Sequence, residues 1–300
     1  MEIVAAAGNG NKIDIWNICS GDIIETLRCD SQYFSSVCFS SCGTLLVSGS
    51  GDGSIILWDC QTWTRLQTLN GHTKSIVSVS FNRTSDRIVS TSYDGKARVW
   101  GVATGMEELN IHTGASAAYS ASFNDSGDTI SVVYGGLINV YDAHTGELKQ
   151  SLAGHNNRVK PVQFSQDGGI LASGSFDRTI ILWDVASGSI LRELRGHIGG
   201  VMQVCFNADA SRIVSGSGDK TARIWDVSTG ECQLTLCGHQ EAVCSCCFSE
   251  DGSKVITASY DGTVKVWDSY TGEELRTLRG SRGFLMSVSY RPSAVGSPYI

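Results

Sequence analysis

Residues 215–226 read SGSGDKTARIWD, and nearly the same phrase stands 42 residues earlier as SGSFDRTIILWD and 42 residues later as TASYDGTVKVWD. Aliphatic residues alternate in it with small or polar ones, the period of a half-buried strand, and a polar pair such as Asp-Gly or Asp-Lys interrupts the alternation where a tight turn belongs. One phrase is therefore a hairpin. Working outward, each unit reads as four short strands: an alternating segment such as IVSVSFN, then RIVSTS, the tight turn, ARVW, and a looser strand such as EELRTL. The aromatic closing the third strand recurs as Trp16, Trp58, Trp100, Tyr141, Trp183, Trp225 and Trp267, in steps of 42, 42, 41, 42, 42 and 42 residues. Three prolines against 34 glycines suit many close hairpins and no long helix.

A four-stranded meander has two apolar faces and cannot bury both alone. Seven of them set radially bury each face against the next and leave only short inner and outer edges. A period near 42, with Gly-His before the first strand and Trp-Asp ending the third, resembles the WD-repeat β-propeller family over essentially the whole chain. The expected fold is all-β: a seven-bladed β-propeller of four-stranded antiparallel blades. Blades two to seven fall at residues 29–70, 71–112, 113–153, 154–195, 196–237 and 238–279. Residues 2–28 supply only three strands of blade one (EIVAAAGN, KIDIWN, DIIETL), and FLMSVSY, residues 284–290, supplies the missing innermost strand. Pairing the two ends closes the ring and removes two open sheet edges. One domain over residues 1–290, with a tail at 291–300, is expected.

The resemblance implies a buried chain of His, Ser or Thr, Asp and Trp across each blade. Four blades match: His72, Asp94 and Trp100; His155, Asp177 and Trp183; His197, Asp219 and Trp225; His239, Asp261 and Trp267. Each His precedes its Trp by 28 residues and each Asp by six, with Ser or Thr two and four residues before the Asp. A Ser-His-Asp set invites comparison with hydrolases, but four copies of one triad make four staples more plausibly than four active sites. Blade two has Asp30 at the His position beside Asp52 and Trp58, and blade one has Ser281 and Gly10 at the His and Asp positions. Blade four has lost its Asp, carries Tyr141 for Trp, and its His112 stands two positions too early relative to Phe123. Blades one and four are thus expected to be the least rigid.

Composition excludes several functions. With 23 basic against 30 acidic residues and a net charge of −7, neither nucleic acid nor an anionic membrane is the expected partner. The first residues, MEIVAAAGNG, have no cationic start and no long apolar run, and no stretch approaches 18 apolar residues, so neither a secretory signal nor a membrane span is expected. Eleven cysteines, odd in number and without framework or zinc spacing, read as reduced thiols of a cytoplasmic protein. CSCCF, residues 244–248, aligns Cys246 with Val37, Val79, Val162, Val204 and Val288, so it reads as inter-blade packing, and no metal or cofactor is expected.

In the family, partners commonly bind the face bearing the Gly-His loops and the tight turns. Its contact positions are the residue before the turn Asp and the residues three and five after the His. Here they give Tyr33, Tyr93, Tyr119, Arg158, Lys160, Phe176, Met202, Tyr260, Phe284 and Met286, with the large residues gathering at blades seven, one and two. Exposed aromatics and Met near an Arg are the stuff of interface hot spots. The expected function is a non-catalytic scaffold, monomeric within a larger assembly. Its partner would be a protein segment with an apolar anchor and an acidic residue, the latter for Arg158 and Lys160. A ubiquitin-ligase substrate receptor is the first alternative. It is weakened because Gln61, Ala186, Ser228 and Tyr270 stand where such receptors often carry Arg or Lys, and because no F-box-like segment is legible ahead of the blades. A ciliary or other microtubule-based component is the second. An enzyme is the third, since the mouth offers Tyr119, Arg158, Lys160 and Cys244 but no carboxylate or His beside them.

Overall fold

The repeated phrase is a hairpin in every blade. In blade six, Arg212–Ser217 pairs antiparallel with Thr221–Asp226, Ile213 opposite Trp225 and Ser215 opposite Arg223. The connecting turn puts Lys220 at a φ of 71°; Gly53, Gly95, Gly262 and Arg178 occupy the same left-handed position in other blades. The preceding Asp makes this affordable for Arg178 and Lys220, because its carboxylate accepts the backbone N–H two residues on, at 3.0 Å for both Asp177–Thr179 and Asp219–Thr221. The computed structural model describes residues 2–29, 31, 33–280 and 283–292.

Seven such sheets, each of four antiparallel strands, form the ring. In every blade the third and fourth strands slip register at the aromatic, as between Ile224 and Trp225, a bulge that turns the large side chain towards the neighbouring blade. The apolar core is correspondingly seven clusters, each shared by two adjacent blades. Trp58 packs with Ile3, Ile13 and Ile15 of blade one, and Trp100 with Val47, Ile55 and Leu57 of blade two. No blade buries its own faces without its neighbours.

Leu285–Arg291 pairs with Ile3–Gly8, Val4 opposite Tyr290 and Ala6 opposite Val288, so the C-terminal strand is the innermost strand of blade one and the ring is closed. A Cβ on Gly8 would lie on the Phe284 carbonyl, which explains glycine at this bulge. Lys254 ion-pairs with Glu2 at 2.9 Å, and Arg276 donates to the carbonyls of Cys19 and Ser20, tying blade seven to blade one.

Innermost strands are sheet edges whose outer N–H groups have no strand partner, and polar side chains of the preceding blade answer several of them. Val37 and Phe39 donate to Ser287 and Ser289 at 3.2 and 3.1 Å, Val79 to Ser36 at 3.2 Å, Val288 to Ser245 at 3.1 Å, and Phe206 to Gln163 at 2.7 Å. Pro161, which has no N–H to offer, sits in the irregular step between the Val159–Ser175 and Val162–Ser173 pairs.

Blade four departs in detail. Its innermost strand is shortened to Ser120–Phe123 and pairs without the usual slip. His112 ends the outer strand of blade three, exposed and opposite Lys96. In place of the staple, buried Asn139 donates to Tyr134 and Tyr141 at 2.5 and 3.0 Å and accepts from Ser151 at 2.7 Å. Asp30 and Ser281 lie outside the described residues, as does the tail from residue 293. Among the described residues no helix is long and apolar enough to cross a membrane.

Candidate protein-binding face

The four His-Asp-Trp sets are closed hydrogen-bond chains. His72 Nδ1 lies 2.9 Å from Asp94 and its Nε2 2.8 Å from Ser90 Oγ, which also accepts Trp100 Nε1–H at 2.8 Å. His155, Ser173 and Trp183 with Asp177 repeat this, as do His197, Ser215 and Trp225 with Asp219. In blade seven Thr257 takes the serine's place between His239 and Trp267, with Asp261 behind the His. In blade three a neutral His72 with its proton on Nδ1, given to Asp94, lets the Ser90 hydroxyl give its proton to Nε2, so that every donor meets an acceptor. Burial accordingly pulls His72 and His239 below their ordinary pKa, only partly offset by the neighbouring Asp. Burial alone would raise the Asp261 carboxyl, yet donation from Thr263, Gln240 and His239 holds it at about 2. Ser90, Ser173, Ser215 and Thr257 are 0% exposed. Each hydroxyl is thus enclosed within its blade, where it ties the His before the first strand to the Trp of the third. It is the serine or threonine four residues before the Asp that joins the chain; the nearer one, such as Ser92, bonds loop backbone instead.

A cavity of about 740 Å³ runs along the ring axis, walled by the innermost strands. Tyr33, Tyr93, Tyr119, Lys160, Met202, Tyr260, Phe284 and Met286 all border it, whereas Arg158 and Phe176 stand outside its lining. The mouth carries two aromatic clusters. Phe284, 56% exposed, meets Tyr260 edge-on at 6.1 Å between ring centres, joining blades seven and one. Tyr93 meets Tyr119 edge-on at 6.3 Å, and the Arg158 guanidinium lies 4.9 Å from the Tyr119 ring centre, joining blades three, four and five. Sequence reading gathered the large residues at blades seven, one and two; the structure adds this second cluster, because ring neighbours meet in space at positions that differ in the repeat. Tyr33, by contrast, is anchored, lying over Gly51 and donating to Ser75 at 3.0 Å.

The two cations read as a pair also have different surroundings. Arg158 is exposed and laid on Tyr119, while Lys160 is partly buried in the axial cavity, where desolvation lowers its pKa. Phe176 is half-exposed, its backbone N–H bonded to Arg158 O at 2.9 Å and its ring over Gly200. Ile198, 78% exposed, was missed. It directly follows His197, where Thr73, Asn156 and Gln240 stand in the other stapled blades, and an aliphatic residue among polar ones was the available signal. Among the described residues no group of three His, Cys, Asp or Glu is placed to hold a metal ion. The channel thiols are inert by burial, which pushes Cys244 up to about 12 and raises Cys38, Cys205 and Cys247.

A family model described as the IFT122 first beta-propeller matches residues 117–299, blade four through the closing strand. The WD domain, G-beta repeat, matches residues 21–59 and 63–101, each match running from the outer strand of one blade to the third strand of the next. No curated protein matches the chain. On a match spanning more than half its length, and with all seven blades in place, the chain belongs to the IFT122 first beta-propeller family of WD-repeat rings.

Proposed function

We propose that the protein is a non-catalytic scaffold that holds other proteins against its Gly-His face. WD-repeat propellers are typical protein-interaction scaffolds. The observation that carries the proposal here is the mouth of the axial cavity, where Phe284, Tyr260, Tyr93 and Tyr119 form two edge-to-face pairs with Arg158 stacked on one of them. Aromatic side chains and Arg on a rigid rim are the composition of interface hot spots, and loops at the end of a fixed framework are where binding residues collect. The matching segment is one with an apolar anchor for the aromatic rim and an acidic residue for the cations.

Affinity purification of the tagged protein beside a Phe284→Asp, Arg158→Glu variant tests this. Partners should be lost from the variant while its thermal midpoint holds. Retention of the same partners by the variant would place binding on another surface.

The family match supports a finer reading, that the assembly is a cilium-related complex. Imaging of the tagged protein in ciliated cells should show enrichment at cilia or their bases. Uniform distribution, with no ciliary protein among the partners, would remove it. Gln61, Ala186, Ser228 and Tyr270 continue to disfavour the ubiquitin-ligase alternative.

A further inference from the structure

Among the described residues Lys160 is the only charged one lining the axial cavity, and no described carboxylate lines it. The lysine stands in the innermost strand of blade five, Val159–Phe164. Among the described residues its ammonium makes no hydrogen bond and no ion pair. Its electrostatic neighbour, Cys244, is a buried thiol and offers no negative charge near neutral pH. The hydroxyl of Ser120 on one neighbouring blade and the amide of Gln203 on the other line the same cavity, and neither has a partner among the described residues.

This idleness is local. Ser36, Ser245, Ser287, Ser289 and Gln163 line the same wall, and all accept backbone N–H groups. Arg158 is laid on Tyr119. A desolvated cation without a counter-charge is destabilising, and burial accordingly pulls Lys160 below its ordinary pKa. The chain as a whole has a surplus of acid over base, yet no described acid lines this wall, and Lys160 leaves a small electropositive recess behind an aromatic collar.

We infer that Lys160 seats a carboxylate delivered by a partner: an Asp or Glu side chain of a peptide segment enters the mouth, ion-pairs with Lys160, and takes hydrogen bonds from Gln203 and Ser120. This rests on the scaffold reading of the same face, and it sends the acid down the axis instead of to exposed Arg158. A peptide fits better than a free anion because the collar is apolar. Phe284 with Tyr260, and Tyr93 with Tyr119, give an aliphatic or aromatic residue beside the acid something to pack on, and a free anion gains nothing there.

The test is an array of nonapeptides with a central Glu between Leu or Tyr residues, each beside its Gln twin, probed with wild-type protein, Lys160→Met and Lys160→Gln. The wild type should prefer the Glu member of the bound pairs by about tenfold, as a partly desolvated ion pair implies. Both variants should bind the two members within about twofold of each other, and Lys160→Met should melt no lower than wild type. Equal binding of Glu and Gln peptides by the wild type would overturn the inference, as would a Glu preference that survives both substitutions. Binding of no peptide, with glutarate alone bound, would overturn the peptide occupant. Cellular partners lost from the Phe284→Asp, Arg158→Glu variant but kept by Lys160→Met would sink the channel assignment and leave the scaffold standing.

Discussion

Ser215→Ala in blade six removes one oxygen and strands two buried groups. Ser215 Oγ accepts Trp225 Nε1–H and serves His197 Nε2, both at 2.8 Å, in a site with no exposed serine surface. Leaving a buried polar group unpaired costs about 1–3 kcal/mol, so two such groups put the loss at about 3 kcal/mol. Blade two is the internal control. There Ser48 Oγ accepts Trp58 Nε1–H at 2.9 Å, and no described histidine joins it. Ser48→Ala strands a single indole N–H, so its cost should be about half as large, near 1.5 kcal/mol. Urea unfolding of both variants, with hydrogen exchange to locate the opening, measures the difference. For a chain of this size the larger loss corresponds to a fall in melting temperature of about 5 °C. Equal costs for the two substitutions would refute the claim that the four-member chain, and not the Ser-Trp bond alone, supports these blades.

Acid should weaken the fold in two stages. Unfolded histidines protonate near 6.5, whereas burial holds folded His72 and His239 lower, so stability present above pH 6.5 should decline as pH falls below it. Asp94, Asp219 and Asp261, held below the ordinary 3.8 against burial, add a second loss below about pH 4. A melting temperature flat or rising from pH 7 to pH 5 would contradict the first stage. Deleting residues 281–300 should bare the Ile3–Gly8 strand and give concentration-dependent association on size exclusion; a monomer with wild-type melting would show that closure contributes nothing. Of the eleven cysteines, exposed Cys19, Cys42, Cys232 and Cys237 should react with a thiol reagent in the native state, while Cys60, Cys244 and Cys246 should wait for unfolding. Fast labelling of Cys246 would place it outside the inter-blade core.

The ring was legible because its determinants are periodic. Strand alternation, the turn Asp and the closing aromatic recur at fixed steps, and the incomplete first repeat found its missing strand at residues 284–290 by pattern alone. The four His-Asp-Trp chains were legible for the same reason. What escaped was whatever depends on one blade meeting the next. Tyr93, Tyr119 and Arg158 belong to three successive repeats at three kinds of position, so only the ring's geometry brings them together. Blade four's Tyr134–Asn139–Tyr141–Ser151 network replaces the staple with residues the repeat assigns to strand faces, and no spacing rule announces it. The isolation of Lys160 is equally invisible in sequence, because it depends on which side chains from other blades fail to reach it.

Hydrogen exchange of the free protein against the same protein in its purified assembly tests the central claim most directly. The account predicts slowed exchange at the mouth, in the segments around Tyr93, Tyr119, Arg158 to Lys160, Tyr260 and Phe284 to Met286, with the opposite face unchanged. Protection confined to the opposite face, around Tyr270 and Arg212, or to the outer strands, would contradict it.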